Sequence, residues 1–314
     1  MNNVASQIAR FLGHKRTAGF AYSREEGFLK ELGRLAQSRQ AAFLSEALAR
    51  EYLSRWTAAS RPNRLTVVRV LARFLAIEDP RTFVPHARFL GIRRRRPVVR
   101  AFSREEARRF LAACDLFSRA RAHPFGLVHS MALRVLLLTG LRRGELLALR
   151  DEDVDLADGV ITVRRGKFGK ARYVPLAPDL VHRLQVYRGA LTRAVTTRSA
   201  SAFFPRSQGQ KPLGRRTLYR SFRRTLELAG ISHLGRGQGP RLHDLRHSFA
   251  VLRLLRWYET GADLRVKLPL LATYLGHVGL RSSQVYLHLT EDFASELTKR
   301  QLDRFGDIIT MVAP

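Results

Sequence analysis

Residues 241–250 read RLHDLRHSFA, and this stretch places His243, Arg246 and His247 in one turn at the start of a helix. Positions three apart share a helix face, so His243 and Arg246 point the same way. Asp244 and His247 are expected to point elsewhere. A plain surface helix with Phe249, Leu252 and Leu255 facing the core would account for the apolar residues. It would leave His243 unexplained. A histidine beside an arginine is a pair suited to phosphate oxygens.

The composition supports an anionic partner. The chain has 314 residues, 56 Lys plus Arg against 26 Asp plus Glu, and a formal charge of +30. Only seven of the basic residues are lysines; 49 are arginines. A coding bias toward arginine could explain Arg over Lys but not the shortage of acids. The arginines are spread through helical-looking segments rather than held in a tail, which favours a protein that wraps nucleic acid. An anionic membrane surface is the weaker alternative. The single cysteine, Cys114, excludes an intramolecular disulfide and a cysteine-cluster zinc site and fits a reducing cytoplasm. MNNVASQIARFLGHKR has no apolar core suited to a signal peptide. The most apolar stretch, MALRVLLLTGLRRGELLAL, is interrupted by arginines, so no membrane span is expected.

Along the chain, residues 1–92 read as a helical domain. YSREEGFLKELGRLAQ begins with Ser23 and Glu26 at the spacing of a capping box. AFLSEALAREYLSRW and RLTVVRVLARFLA repeat apolar residues three and four apart. GIRRRRPVVRAFSREE then marks a boundary: Arg93, Arg94, Arg95 and Arg96 cannot pack together, and Pro97 disfavours helix before it. Residues 93–102 are therefore expected to be a basic linker, and Ser103 with Glu106 caps the first helix of a second domain, 103–290. Helix is expected to about residue 149. GVITVRR and ARYVPL, separated by GKFGK, read as a hairpin or small sheet. KPLGRRT and HLGRGQGP read as loops. Further helices are expected near 216–229, 244–258, 268–276 and 281–288, then a polar helical tail at 291–309. The fold class is mainly α with a small β-sheet.

Two more stretches join RLHDLRHSFA. In TGLRRGEL, residues 139–146, Gly140 lets the chain turn and Arg142 stands at a helix start, which already favours anions. In YLGHVGLRSSQVYLHL, residues 274–289, Gly276 ends a helix, His277 follows, and Tyr286 comes nine residues later. Each is weak alone. In the order Arg, His-x-x-Arg, His, Tyr, with a basic hairpin after the first, they resemble the tyrosine recombinases, the family of lambda integrase, Cre and Xer.

That resemblance covers nearly the whole chain. It implies a helical core-binding domain and a mixed α/β catalytic domain clamped around DNA. It makes Arg142 and Arg246 the catalytic arginines, Lys167 the hairpin lysine, His243 and His277 the two histidines, and Tyr286 the nucleophile of a 3′-phosphotyrosine intermediate. Two arginines and a histidine can hold the charge that develops on the nonbridging oxygens, so neither metal, ATP nor another cofactor is required. Lysine, unlike arginine, can give a proton to the leaving 5′-oxygen. Lys170 competes with Lys167 for that role. Arg93 to Arg96, Lys170, Arg215, Arg216 and Arg241 are the candidate DNA contacts. The expected partners are double-stranded DNA with inverted half-sites, further copies in a dimer or tetramer, and sister recombinases, in a bacterial cytoplasm at the nucleoid. The 291–314 tail, with its apolar IITMV, is expected to dock on a neighbouring subunit. A type IB topoisomerase and a non-catalytic DNA-binding accessory protein are the alternatives.

One spacing departs from the family pattern. Arg246 and His277 lie 31 residues apart, about two helical turns more than is common in the family. Whole turns of roughly four residues keep a helix facing the same way, so the site should survive. The departure points away from a housekeeping Xer enzyme and toward a transposon or integrative element.

Basic charge in both domains predicts many phosphate contacts and affinity that falls steeply with salt. Replacing Arg93 to Arg96 with alanine should flatten that slope and weaken specific and nonspecific binding alike. A slope unchanged in binding titrations at several salt concentrations would take these arginines off the DNA backbone.

Overall fold

The computed structural model describes residues 3–92, 100–119, 125–164, 171–194, 202–206, 211–233 and 239–276. The chain forms two compact units that divide between Pro97 and Val98. Arg93 to Arg96 lie outside the described residues.

The first unit is helical. Helices α1 (Val4–Thr17), α2 (Ser23–Ser38), α3 (Glu46–Ser54) and α4 (Arg61–Leu75) pack around one core, which includes Phe11, Leu32, Leu53, Leu71 and Phe89. The apolar spacing of each helix supplies one buried stripe. Arg64 is buried here, its guanidinium 3.4 Å from the Trp56 ring centroid and 4.2 Å from that of Phe28, with Glu31 at 3.0 Å. The capping box expected at Ser23 does not form. Tyr22 takes the N-cap position in the left-handed region, with φ 46°, and Ser23 is already helical. The Glu26 carboxylate turns outward to Arg16 at 2.6 Å and Lys30 at 2.9 Å. Two cations compete better for a carboxylate than one backbone N–H does.

In the second unit the Ser103 box does form: Ser103 N–H donates to Glu106 at 3.0 Å, and Glu106 N–H donates back to the Ser103 hydroxyl at 3.0 Å. It starts α5 (Arg104–Arg119). Next comes α6 (Phe125–Thr139), the apolar centre of the unit, packed by α5, α8 (Pro178–Ala194), α9 (Arg215–Leu228) and α10 (Leu242–Glu259). A helix apolar on nearly every side must be surrounded, which sets the architecture. Its one buried arginine, Arg134, is held by Asp115 at 2.5 Å.

A short α7 (Arg143–Ala148) follows α6, so the helical run expected to residue 149 breaks at Gly140 to Arg142. The sheet is antiparallel in the order β1 (Val154–Asp155), β2 (Val160–Val163), β3 (Arg172–Pro175). β1 was not expected from the sequence; two residues are too few to show an alternation. Ile161 pairs with Val174 and Val163 with Arg172, so Arg172 shares the inward face with the three apolar residues. α9 begins at Arg215, within the expected loop. Finally α10 and α11 (Leu264–Leu275) form a helical pair with its own cluster of Phe249, Leu254, Leu255, Leu268, Leu271 and Leu275. α11 starts four residues before the expected 268 because Asp263 caps it, accepting from Arg265 N–H at 2.8 Å. Pro269 therefore sits inside the helix, where it lacks an N–H for the carbonyl four residues back. Among the described residues, no helix is long and apolar enough to cross a membrane.

Gly140 is where α6, α10 and α11 meet. Its φ is +63°, and a β-carbon there would lie 2.7 Å from the Phe249 ring and 3.0 Å from Leu275. Gly140→Ala should cost about 2–4 kcal/mol, combining left-handed strain with overpacking. Thermal or denaturant unfolding checks this, and a loss below about 1 kcal/mol would mean that Phe249 moves aside freely.

Candidate active site

The site is built where three elements reach the C-terminal end of α11. Gly140 turns the chain out of α6. Arg142 then caps α7 with an extended backbone, and its N–H donates to the Glu145 carboxylate at 2.9 Å. Its guanidinium donates to the same carboxylate at 2.7 Å and to the Gly276 carbonyl at 3.0 Å. From β3, Arg172 grips both Glu145 oxygens at 2.9 and 2.8 Å and donates to the Tyr274 carbonyl at 2.9 Å. From α10, Arg246 donates to the Gly140 carbonyl at 2.8 Å and to the Leu275 carbonyl. Three arginines thus hold three successive carbonyls, at Tyr274, Leu275 and Gly276.

These carbonyls are the ones an α-helix leaves without intrahelical partners, and they carry the negative end of its dipole. Gly276 closes the helix in the left-handed region, φ 66°, with its N–H returned to Ala272 and Thr273. A β-carbon there would sit 3.2–3.3 Å from the Arg172 side chain. Arg246 is 1% exposed, whereas the Arg142 side chain keeps 24% exposure.

The start of α10 is set by Asp244. Its buried carboxylate accepts from Arg241 N–H at 2.7 Å and pairs with the Arg241 guanidinium at 2.7 Å. His243 and Arg246 do lie in the same turn. His247, however, does not point away: its ring meets that of His243 edge-on at 4.6 Å between centroids. Positions four apart are neighbours on a helix, so the two histidines share a flank while Asp244 turns inward.

Charges and burial set the protonation states. Burial alone would raise the Glu145 carboxyl, but hydrogen bonds from Arg172 and from the Arg142 backbone and side chain hold it down at about 2. Loss of solvent contact lowers His243, and the positive charge of Arg246 lowers it further, although the ring keeps an open edge. His247 falls to about 4, from burial first and then from His243. A neutral imidazole beside two guanidiniums can accept a proton at neutral pH while the guanidiniums hold an anion.

Of the sequence-derived candidates, Arg142, His243 and Arg246 come together here. Arg241 stands one turn away in its pair with Asp244, and Arg215 and Arg216 are exposed at the start of α9. Lys167, Lys170, His277 and Tyr286 lie outside the described residues. Glu145 and Arg172 were not among the candidates. The Glu145 signal was present, an acid three residues after Arg142 at a helix start. Arg172 had none, as one of 49 arginines.

Residues 100–292 match the Phage integrase family. The chain belongs to that family, the tyrosine recombinases. The putative integrase/recombinase y4rB of Sinorhizobium fredii is 31% identical over 98% of this chain and 99% of its own. The tyrosine recombinase XerD of Vibrio cholerae is 29% identical over 81% of this chain and 80% of its own. Among solved structures, the XerH site-specific recombinase bound to palindromic difH substrate matches with a TM-score of 0.64 at 18% identity, covering 95% and 97% of the two chains. The Tn1549 transposon integrase in complex with a circular intermediate DNA matches with a TM-score of 0.62 at 19% identity, covering 91% and 95%. These likenesses in structure establish the fold, mainly α with a small antiparallel sheet. This recombinase is a DNA strand-transfer enzyme.

The two lowered histidines make stability depend on pH. With folded values below the ordinary 6.5, the unfolded chain takes up protons first as pH falls. Their contribution is present above about pH 6.5 and is lost on descending toward 4. Melting temperature should drop across that window, and His247→Gln should make the drop shallower. An unchanged slope in His247→Gln would remove His247 as its source.

Proposed function

We propose that this chain is a site-specific DNA recombinase that cleaves and rejoins DNA through a phosphodiester bond to Tyr286, without metal or ATP. One observation carries the reading: Arg142 and Arg246, far apart in sequence, converge on the end of α11, directly before the segment holding His277 and Tyr286. In the reaction the Tyr286 oxygen attacks the scissile phosphorus, a 3′-phosphotyrosine bond forms, and the 5′-oxygen leaves. Arg142 and Arg246 offset the charge that builds on the nonbridging oxygens. His243, held neutral, accepts the phenol proton, and His277 adds a further donor to the phosphate. Lys167 protonates the leaving 5′-oxygen. The phosphotyrosine keeps the free energy of the broken bond, so a free 5′-hydroxyl can reverse the step.

In this reading residues 1–92 form the core-binding domain, 93–102 a basic linker along the DNA backbone, 103–290 the catalytic domain, and 291–314 a tail that docks on a neighbouring copy. The partner is double-stranded DNA with inverted half-sites, bound by a dimer or tetramer, with sister recombinases as candidate co-workers, at a bacterial nucleoid. Arg93 to Arg96, Lys170, Arg215, Arg216 and Arg241 contact that DNA. The long Arg246-to-His277 spacing and the full-length similarity to a putative integrase/recombinase support service on a mobile element. Neither a topoisomerase nor a non-catalytic accessory protein is favoured by the family match.

Tyr286→Phe should bind DNA normally and form no denaturant-resistant adduct; a persisting adduct would give the attack to another residue. Lys167→Ala should slow cleavage by a factor on the order of 10²–10⁴. Replacing the bridging 5′-oxygen with sulfur should restore its rate, because a thiolate leaves without a proton donor. If Lys170→Ala is rescued and Lys167→Ala is not, the roles of the two lysines exchange.

A further inference from the structure

Glu145 poses a problem for the function just proposed, and Arg172 is placed to solve it. Arg142 is expected to offer positive charge to a phosphodiester, yet its guanidinium is paired with a carboxylate at 2.7 Å. That carboxylate is buried, with its side chain 5% exposed. Taken alone, Arg142 and Glu145 sum to zero charge. Arg172 is the second cation on Glu145, bidentate at 2.9 and 2.8 Å, with its own side chain 10% exposed. Each Glu145 oxygen therefore accepts once from Arg172 and once from Arg142, through its guanidinium or its backbone N–H. The carboxylate's acceptor positions are filled. Of the two guanidiniums, that of Arg172 is the more enclosed and that of Arg142 the more open, with 24% of its side chain exposed.

We propose that Arg172 is a positioning residue: by neutralising Glu145 from the β3 side, it leaves the charge of Arg142 available to the scissile phosphate. The three groups together carry one net positive charge, and Arg142 is the member with an open edge. Without Arg172 the buried carboxylate has one cation left to draw on, and both its demand for charge and its demand for hydrogen bonds fall on Arg142. Glu145 is needed in turn because it fixes the Arg142 backbone at the α7 start, so removing the acid is not an equivalent solution. The Arg172 bond to the Tyr274 carbonyl ties the same unit to the end of α11. This proposal rests on the recombinase reading above and on Arg142 meeting the phosphate.

The test is a single-turnover measurement of covalent adduct on a duplex carrying the recombination site, using the full chain. Arg172→Gln should lose roughly 10²-fold in rate, the scale for loss of one donor at a developing oxyanion, with DNA affinity within a few-fold of the unsubstituted protein. The double variant Glu145→Gln with Arg172→Gln should regain at least about tenfold of that loss, because a neutral amide no longer offsets Arg142. On a scissile methylphosphonate, which carries no nonbridging charge, Arg172→Gln and the unsubstituted protein should differ by no more than a few-fold. A double variant as slow as Arg172→Gln, or a loss of equal size on both backbones, would overturn the proposal and leave Arg172 a structural strut. If Arg172→Gln fails to fold in thermal unfolding, Arg172→Lys decides: it keeps the charge and loses the fork, and a loss beyond about tenfold would overturn the charge argument. Tyr286→Phe and Arg142→Ala serve as references for the underlying reading. An adduct with Tyr286→Phe, or full activity in Arg142→Ala, would sink that reading whatever Arg172 does.

Discussion

The end of α11 is held by three arginines, and the rest of the second unit is arranged so that they can reach it. A helix terminus leaves bare carbonyls, and burial of such groups without partners is costly. Here Arg172, Arg246 and Arg142 satisfy the carbonyls of Tyr274, Leu275 and Gly276 in turn. The partners come from a strand, a long helix and a turn, so this one contact fixes the sheet, α10 and the α6–α7 corner together. The negative end of the helix dipole favours the cations. It cannot by itself offset three of them, and Glu145 supplies the balancing charge at the centre.

Close approach explains why two of the corners must be glycine. Arg246 reaches the Gly140 carbonyl only because that residue turns in the left-handed region against Phe249 and Leu275. Gly276 lies against the Arg172 side chain in the same conformation. Phe249 and Leu275, which crowd Gly140, belong to the apolar cluster of α10 and α11. Arg172 and Arg246 are thereby held on a strand and a long helix, and Arg142 at the turn that opens α7, so the three positive charges are fixed relative to one another.

The long spacing between Arg246 and His277 has a simple structural counterpart. α10 runs to Glu259 and α11 begins at Leu264, so most of the residues between Arg246 and His277 form a helical pair that turns back at its far end. At the near end of the pair Arg246 meets the Leu275 carbonyl, and Phe249, Leu254, Leu268 and Leu271 face one shared cluster.

Much of this was legible in the sequence. Periodicity placed most helices, β-branched runs placed β2 and β3, and the Ser103 box marked the start of the second unit. The order of Arg142, His243, Arg246, His277 and Tyr286, with a basic hairpin after the first, carried the resemblance to the family, where no one of the three stretches would have done so alone. Local rules failed where one group had more than one possible partner. Ser23 lost its box because Arg16 and Lys30 claimed Glu26, and Lys30 is a neighbour only once α2 has formed. His247 joined His243 because helical geometry brings positions four apart together. The role of Arg172 was beyond any local reading. In a chain with 49 arginines, what sets this one apart is a carboxylate 27 residues away and a carbonyl 102 residues away. Sequence therefore determined which chemistry the chain carries, and tertiary structure alone decided which buried charges hold it in place, because partners in a buried ionic network are chosen by proximity in space.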